Sequence, residues 1–196
     1  MVELYASRFR EVPQGQEYLT SRGLGSREIV EAFKVGLCDG SLRSTLPESG
    51  PLSEALRQLG VLNAQGKEHF LGCLVVPLEH PDHGVVGLYG RRIEGDGSER
   101  HMLLPGELRG VLNWQALQSS PRVVLVEGPL DALSMWVAGV KEVTCLCGTG
   151  QLPRDLKALL TRYAVRKWSS VSMARRRLRR RPRGWRSGPG RWRRRP

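Results

Sequence analysis

The sequence has no aspartate or glutamate after Asp155 and no lysine after Ser170, yet twelve arginines follow that serine. The formal charge of +12 therefore belongs to one end of the chain. Taking those twelve from the 31 lysines and arginines leaves 19 basic residues against 19 acidic ones, so the body is neutral and is not by composition a nucleic-acid binder. Cysteine is scarce as well. Cys38, Cys73, Cys145 and Cys147 form no C-x-x-C pair, and the one close pair is too tight for ordinary zinc-ligand geometry or a simple disulfide. The reading is free, buried thiols and no zinc site in this chain. No apolar run approaches the roughly 20 residues that span a bilayer. Met1-Val2-Glu3 opens no signal peptide, so a cytoplasmic protein with no membrane partner is expected.

What is present suffices for a core: 196 residues, 40% of them hydrophobic. Gln14–Arg22 has a helical pattern halted by Gly23-Leu24-Gly25. Ser26 then suits the N-cap of a helix over Arg27–Phe33, with Ile29, Val30 and Phe33 on one face. Lys34–Cys38 predicts a strand and Ser41–Gly50 a loop. Leu52, Ala55, Leu56 and Leu59 follow helical spacing, with Gly60 as the stop. Leu71–Leu78 and Val85–Ile93 read as an antiparallel hairpin, followed by a short strand at His101–Leu104 and a helix at Asn113–Leu117.

The stretch that states a chemistry is Val123–Gly150. Val123–Val126 is an apolar run of the kind buried in a parallel sheet, and such strands leave their carboxyl ends at ligand sites. At that end stand Glu127 and Gly128, then Pro129 at a position suited to the first residue of a helix, which puts Asp131 in its first turn. Taken alone, these two carboxylates are a solvated strand-to-helix turn with an aspartate on the helix dipole. Beyond Gly139 a second apolar run ends in Gly148-Thr149-Gly150, and Leu156, Leu159, Leu160 and Tyr163 mark another helix.

Glu127-Gly128-Pro129-Leu130-Asp131-Ala132-Leu133-Ser134, with Gly148-Thr149-Gly150 after the next strand, resembles the first half of the toprim domain of bacterial DNA primases and topoisomerases. Tyr18–Leu24, Phe33–Gly36, Val76–Leu78, Gly84–Arg92 and His101–Pro105 fall in the order of the primase catalytic core, which separates the primase family from the topoisomerases. The resemblance implies an α/β fold: an α+β N-terminal subdomain over residues 1–120, a partial parallel-sheet toprim domain over 121–167, and an Arg-rich tail over 168–196 expected to be disordered. It implies Glu127 and Asp131 as catalytic and metal-binding carboxylates for Mg2+ or Mn2+. It further implies Arg91, Arg92, Arg22, His101, Gly128, Gly148 and Thr149 as contacts to nucleotide or template. For Arg91 and Arg92 the plain alternative is a pair of surface arginines at a hairpin end; Arg22 reads equally as a helix cap and His101 as a neutral loop histidine.

Three departures bear on activity. The chain has no zinc-binding module ahead of the core. Where primases carry Lys-Tyr-Leu-Asn-Ser-Pro it has His101-Met102-Leu103-Leu104-Pro105. The Asp-x-Asp motif due after the strand that starts near Val165 is missing. With that third strand replaced by arginine blocks, the parallel sheet is expected to be loose, with an unpaired edge. A one-base frame shift with suitable synonymous codons rereads Trp168–Ala174 as Val-Val-Leu-Gly-Leu-Asp-Gly, an apolar strand ending in aspartate, so the tail reads as a frameshift product, a basic arm, or an interaction peptide. The function implied is metal-dependent RNA primer synthesis on single-stranded DNA, from nucleotides, impaired by the missing acids, with a helicase or a zinc module acting in trans. The alternative is a non-catalytic nucleic-acid-binding protein or a mobile-element remnant.

Overall fold

The computed structural model describes residues 1–47, 49–94, 100–148 and 150–171, and every structural statement below concerns those residues. Three helices open the chain: α1 (Val2–Glu11), α2 (Pro13–Thr20) and α3 (Arg27–Ala32). Val12 is extended, which ends α1, and Pro13 at once begins α2 in the position where a missing N–H costs nothing. Ser26 Oγ accepts the Ile29 amide at 3.3 Å and caps α3.

The first sheet is antiparallel, in the order β1 (Gly36–Cys38), β2 (Cys73–His80), β3 (Gly84–Arg92), β4 (His101–Leu103). Two helices, α4 (Leu42–Thr45) and α5 (Pro51–Gln58), lie between β1 and β2. Gly36 lets α1 lie directly on this sheet, because a Cβ there would stand 2.6 Å from that of Tyr5. The pairing of β3 with β4 sets Tyr89 opposite Leu103 and Arg91 opposite His101.

After α6 (Gln115–Ser119) the second sheet runs β5 (Arg122–Val126), α7 (Pro129–Val137), β6 (Val143–Cys145), α8 (Arg154–Arg162), β7 (Lys167–Val171). Its strands are parallel, in the order β6-β5-β7. One face packs with α8 through Val123, Leu125, Leu156, Leu159 and Leu160. The other face contributes Val126, Val143 and Cys145, with Ala132 and Leu133 of α7, to a core shared with Phe9, Leu19, Ile29, Leu37, Leu74 and Leu78 of the first sheet's layer. Buried Asp155 ties α8 to the segment before α6: its Oδ2 accepts from the Gly110 amide at 2.8 Å and from Arg109 Nε at 3.1 Å. Among the described residues no helix is long and apolar enough to cross a membrane.

Mixed helices with one antiparallel and one parallel sheet make the fold α/β, in the arrangement expected from the sequence. Four local expectations are corrected. Val2–Glu11 forms a helix where none was anticipated, and Leu42–Thr45 is helical inside the expected loop. The strand expected over Lys34–Cys38 begins only at Gly36, since Lys34 sits at φ +48° and turns the chain after α3. The largest correction is β7: a tail from residue 168 and a vacant third strand were expected, but Lys167–Val171 pairs parallel with β5 along its whole length. Backbone pairing suffices there, because Lys167, Trp168, Ser169 and Ser170 are all exposed and contribute little burial. The arginine blocks lie outside the described residues.

Candidate active site

Strand β5 delivers Glu127 to the rim of the sheet, and Gly128 turns the chain into α7 with Pro129 at the first helical position. Asp131, third in the helix, reaches back so that its Oδ2 accepts the Gly128 amide at 3.2 Å. The two carboxylates are thereby held at one strand end by local geometry alone. Burial pushes the Asp131 carboxyl above its ordinary value, the Gly128 bond opposes this, and the neighbouring Glu127 charge adds to the rise.

A cavity of about 320 Å³ opens over this turn, lined by His101, Leu103, Glu127, Gly128, Asp131, Cys147 and Gly148. Its far lip is the turn after β6, where Cys147 and Gly148 both have positive φ, +53° and +78°. The Gly148 amide donates to the Glu127 carbonyl at 2.8 Å and closes the lip onto the acidic strand end. The thiols of Cys145 and Cys147 lie 3.6 Å apart beneath it, and burial holds the Cys145 thiol well above its ordinary value.

Across the cavity stands β4 with His101, which is exposed but tied at both ring nitrogens. Arg91 Nη1 meets His101 Nε2 at 2.6 Å, and Tyr89 Oη meets Nδ1 at 2.7 Å. A guanidinium can only donate, so Nε2 accepts and the ring proton resides on Nδ1, pointing to Tyr89. Arg91 itself is 7% exposed and also donates from Nε to Tyr18 Oη at 3.1 Å. The Arg22 guanidinium lies over the Tyr18 ring, 4.6 Å from its centre.

Of the residues singled out from sequence, Glu127, Gly128, Asp131, His101 and Gly148 meet around one cavity. Arg91 lies behind His101, and Arg22 lies behind Tyr18, each a step further from the carboxylates. Arg92, the next residue on the strand, points to the opposite face, where its Nη2 meets Met102 Sδ at 3.4 Å. Thr149 lies outside the described residues. Sequence reasoning passed over Tyr18, Tyr89, Leu103 and Cys147. The signal for Tyr89 was available: period-2 alternation puts it on the face of Arg91. Among the described residues no group of three or more His, Cys, Asp or Glu side chains is arranged to hold a metal ion.

No protein-family model matches the chain. Over 172 residues, 80% of the chain, it is 29% identical to a DNA primase of Helicobacter pylori strain J99, and this stretch is 30% of that relative's length. The chain spans under a third of the length of curated relatives such as this one, so the likeness is to one part of them. Its fold is that of the primase catalytic core. The Aquifex aeolicus primase, zinc-binding and RNA polymerase domains, superposes with a TM-score of 0.74 at 24% identity over 87% of this chain and 45% of that one. A DnaG primase catalytic domain bound to single-stranded DNA superposes at 0.69 and 20% identity over 87% of this chain and 59% of that one. By sequence and by fold the chain is primase-like.

Proposed function

We propose that the cavity over Glu127 and Asp131 is a primase-type nucleotidyl-transfer site that still receives nucleotide and single-stranded DNA but synthesises little or no primer. The observation that carries the reading is the meeting of Glu127, Asp131 and His101 around one cavity, three residues drawn from two sheets and 30 positions apart at the widest. On this reading residues 1–120 form the template side, and the parallel unit from residue 121 carries the acidic side and extends through β7.

Two carboxylates at a strand end fit Mg2+ or Mn2+ of the kind held by one or two acids together with water and phosphate oxygens, and do not fit a cage built wholly from protein. Glu127 and Asp131 are the residues to hold it, and when bound such an ion neutralises triphosphate charge and favours ionisation of the attacking hydroxyl. The chain's own groups do the rest. Gly128 leaves the strand end open to close approach, Gly148 shapes the opposite lip, and His101 stands where a base or sugar enters. Single-stranded DNA and nucleotides are the proposed ligands, with a replicative helicase as the proposed protein partner.

Impairment follows from the missing Asp-x-Asp: no acid occurs after Asp155, so β7 brings none to the side of β5 where a second pair is needed. The same fact favours the second reading, a non-catalytic DNA-binding remnant of a mobile element. Primer synthesis on single-stranded DNA with Mg2+ or Mn2+ separates them. Binding without synthesis, weakened by Glu127→Gln, is the expected result. Robust synthesis by the unaltered chain that Glu127→Gln abolishes overturns the impairment and makes the chain an active enzyme, and no effect of Glu127→Gln on either readout removes the site altogether. The nucleotide sequence across the codons for Lys167–Met173 decides whether an acidic strand is encoded in another frame.

A further inference from the structure

Beneath the acidic cavity lie two thiols that primer chemistry does not use. Cys145 ends β6, Cys147 stands two residues on in the lip, and their sulfur atoms are 3.6 Å apart. Spacing alone disfavours a bond between them, because residues two apart in an extended chain stand about 6.6 Å from one another, near the limit that a disulfide bridges. Here the chain leaves β6 after Cys145 and turns at Cys147, which has a φ of +53°, and the sulfurs meet. Access differs between the two. Cys147 lines the cavity, whereas Cys145 lies behind it and is 3% exposed. A small oxidant entering the cavity reaches Cys147 first and finds Cys145 next to it. The other two cysteines are placed differently. Cys38 and Cys73 sit opposite each other on β1 and β2, but both are fully buried and neither lines this cavity. Cys38 gives its S–H to Glu68 Oε2 at 3.0 Å, and Cys73 Sγ lies 3.6 Å from Met102 Sδ.

We propose that Cys145 and Cys147 are an oxidisable dithiol in the wall of the acidic cavity, closed to a disulfide by a hydroperoxide, and that closure moves the lip and hinders entry of nucleotide. Cys147 Sγ takes one oxygen of hydrogen peroxide as the O–O bond breaks. The thiol becomes a sulfenic acid, and the other oxygen leaves as water with the thiol proton. Cys145 Sγ then attacks the Cys147 sulfur: the S–S bond forms, the S–O bond breaks, and the hydroxyl leaves with the Cys145 proton as a second water. The two thiols lose two electrons, and the peroxide gains them. The bond draws the sulfurs from 3.6 Å to about 2.05 Å. That movement falls on a lip whose two successive residues, Cys147 and Gly148, both have positive φ, and on the Gly148 amide that donates to the Glu127 carbonyl at 2.8 Å. The dithiol chemistry stands on the placement of the sulfurs; its effect on nucleotide rests on the reading of the cavity as a nucleotide site.

The test uses the full chain, reduced and then treated with hydrogen peroxide, with the remaining thiols alkylated under denaturing conditions and mapped by mass spectrometry. The expected product is a Cys145–Cys147 disulfide that dithiothreitol reverses. In Cys145→Ser the oxidation is expected to stop at a sulfenic acid on Cys147, trapped by dimedone; in Cys147→Ser, Cys145 is expected to stay open to alkylation. Binding of a fluorescent nucleoside triphosphate with Mg2+ is measured at salt high enough to suppress the arginines after Ser170. It is expected to weaken about tenfold when the unaltered chain is oxidised, to recover on reduction, and to be the same before and after peroxide in Cys147→Ser. Both thiols left open to alkylation, or a disulfide that involves Cys38 or Cys73 instead, overturns the dithiol. A Cys145–Cys147 disulfide with no change in affinity overturns the closing of the cavity while the site reading stands. If the reduced chain binds no nucleotide, the site reading falls and the closing of the cavity with it, and the mapped disulfide alone decides the dithiol. The unaltered chain carries both main readouts, so the test stays decisive if a variant fails to fold.

Discussion

Asp131 is held against its own chemistry at neutral pH. Half-buried beside Glu127, its carboxyl is raised above the ordinary value chiefly by burial, so the ionised form is what the folded chain tolerates less well. A raised folded value means that the native state binds the proton more readily than the unfolded state. The stability linked to it is fully present below the ordinary carboxylate range and is lost as pH rises through the folded value. Asp131→Asn keeps an acceptor for the Gly128 amide and removes the charge. At pH 7 it is expected to raise stability by about 1 kcal/mol, with the advantage vanishing near pH 3, measured as the urea midpoint at both pH values. A variant no more stable than the parent at pH 7 would mean that Asp131 is not under this load. The acidic half of the site was legible in sequence because strand, glycine, proline and first helical turn are consecutive. The facing half was not, because Arg91, His101 and Tyr89 meet only through the register of two strands with a turn between them. Arg91, read from sequence as a contact to nucleotide or template, is 7% exposed, a burial that the hairpin-end pattern alone did not indicate.

Among the elements, β7 changes what the parallel sheet can do. With β6 on one side and β7 on the other, β5 has no open edge, and its amides are shielded from water by both ladders and by α7 and α8. Hydrogen exchange is expected to be slow across Val123–Val126 and clearly faster across Trp168–Val171, which has no strand beyond it among the described residues. Equal, fast exchange in both would mean that β7 is not seated. The elements legible in sequence were those whose side chains pay for their own placement: α5 and α8 by spacing, and the β2–β3 hairpin by two apolar runs around a turn. Helix α1 was illegible because only Tyr5 and Phe9 of its ten residues are buried. Strand β7 was illegible for a different reason. Trp168, Ser169 and Ser170 carry no pattern of burial, and the strand exists because β5 presents unpaired backbone groups at that edge.

At the scale of the whole molecule, charge and fold are separate. The body before Ser170 is neutral, and twelve arginines follow it. Ending the chain at Val171 is expected to leave the unfolding midpoint unchanged while removing most of the salt-sensitive affinity for single-stranded DNA. Each arginine that neutralises a phosphate steepens the dependence of log affinity on log salt by about 0.7, so the slope read from a salt titration reports how many were engaged. A slope that survives the truncation would assign the charge effect to Arg22 and its neighbours. The seating of β7 also has a genetic consequence. A chain without that strand would leave an open edge on β5, open to aggregation and clearance, and its gene would behave as a recessive loss of function. Here the ladder is completed by residues that bring no acid, and on the function proposed above the product is a folded protein that binds its ligands without turning them over. If it occupies the ligands of an intact relative without turning them over, the allele is dominant: its phenotype scales with its dose and is relieved by disrupting β5 or α7.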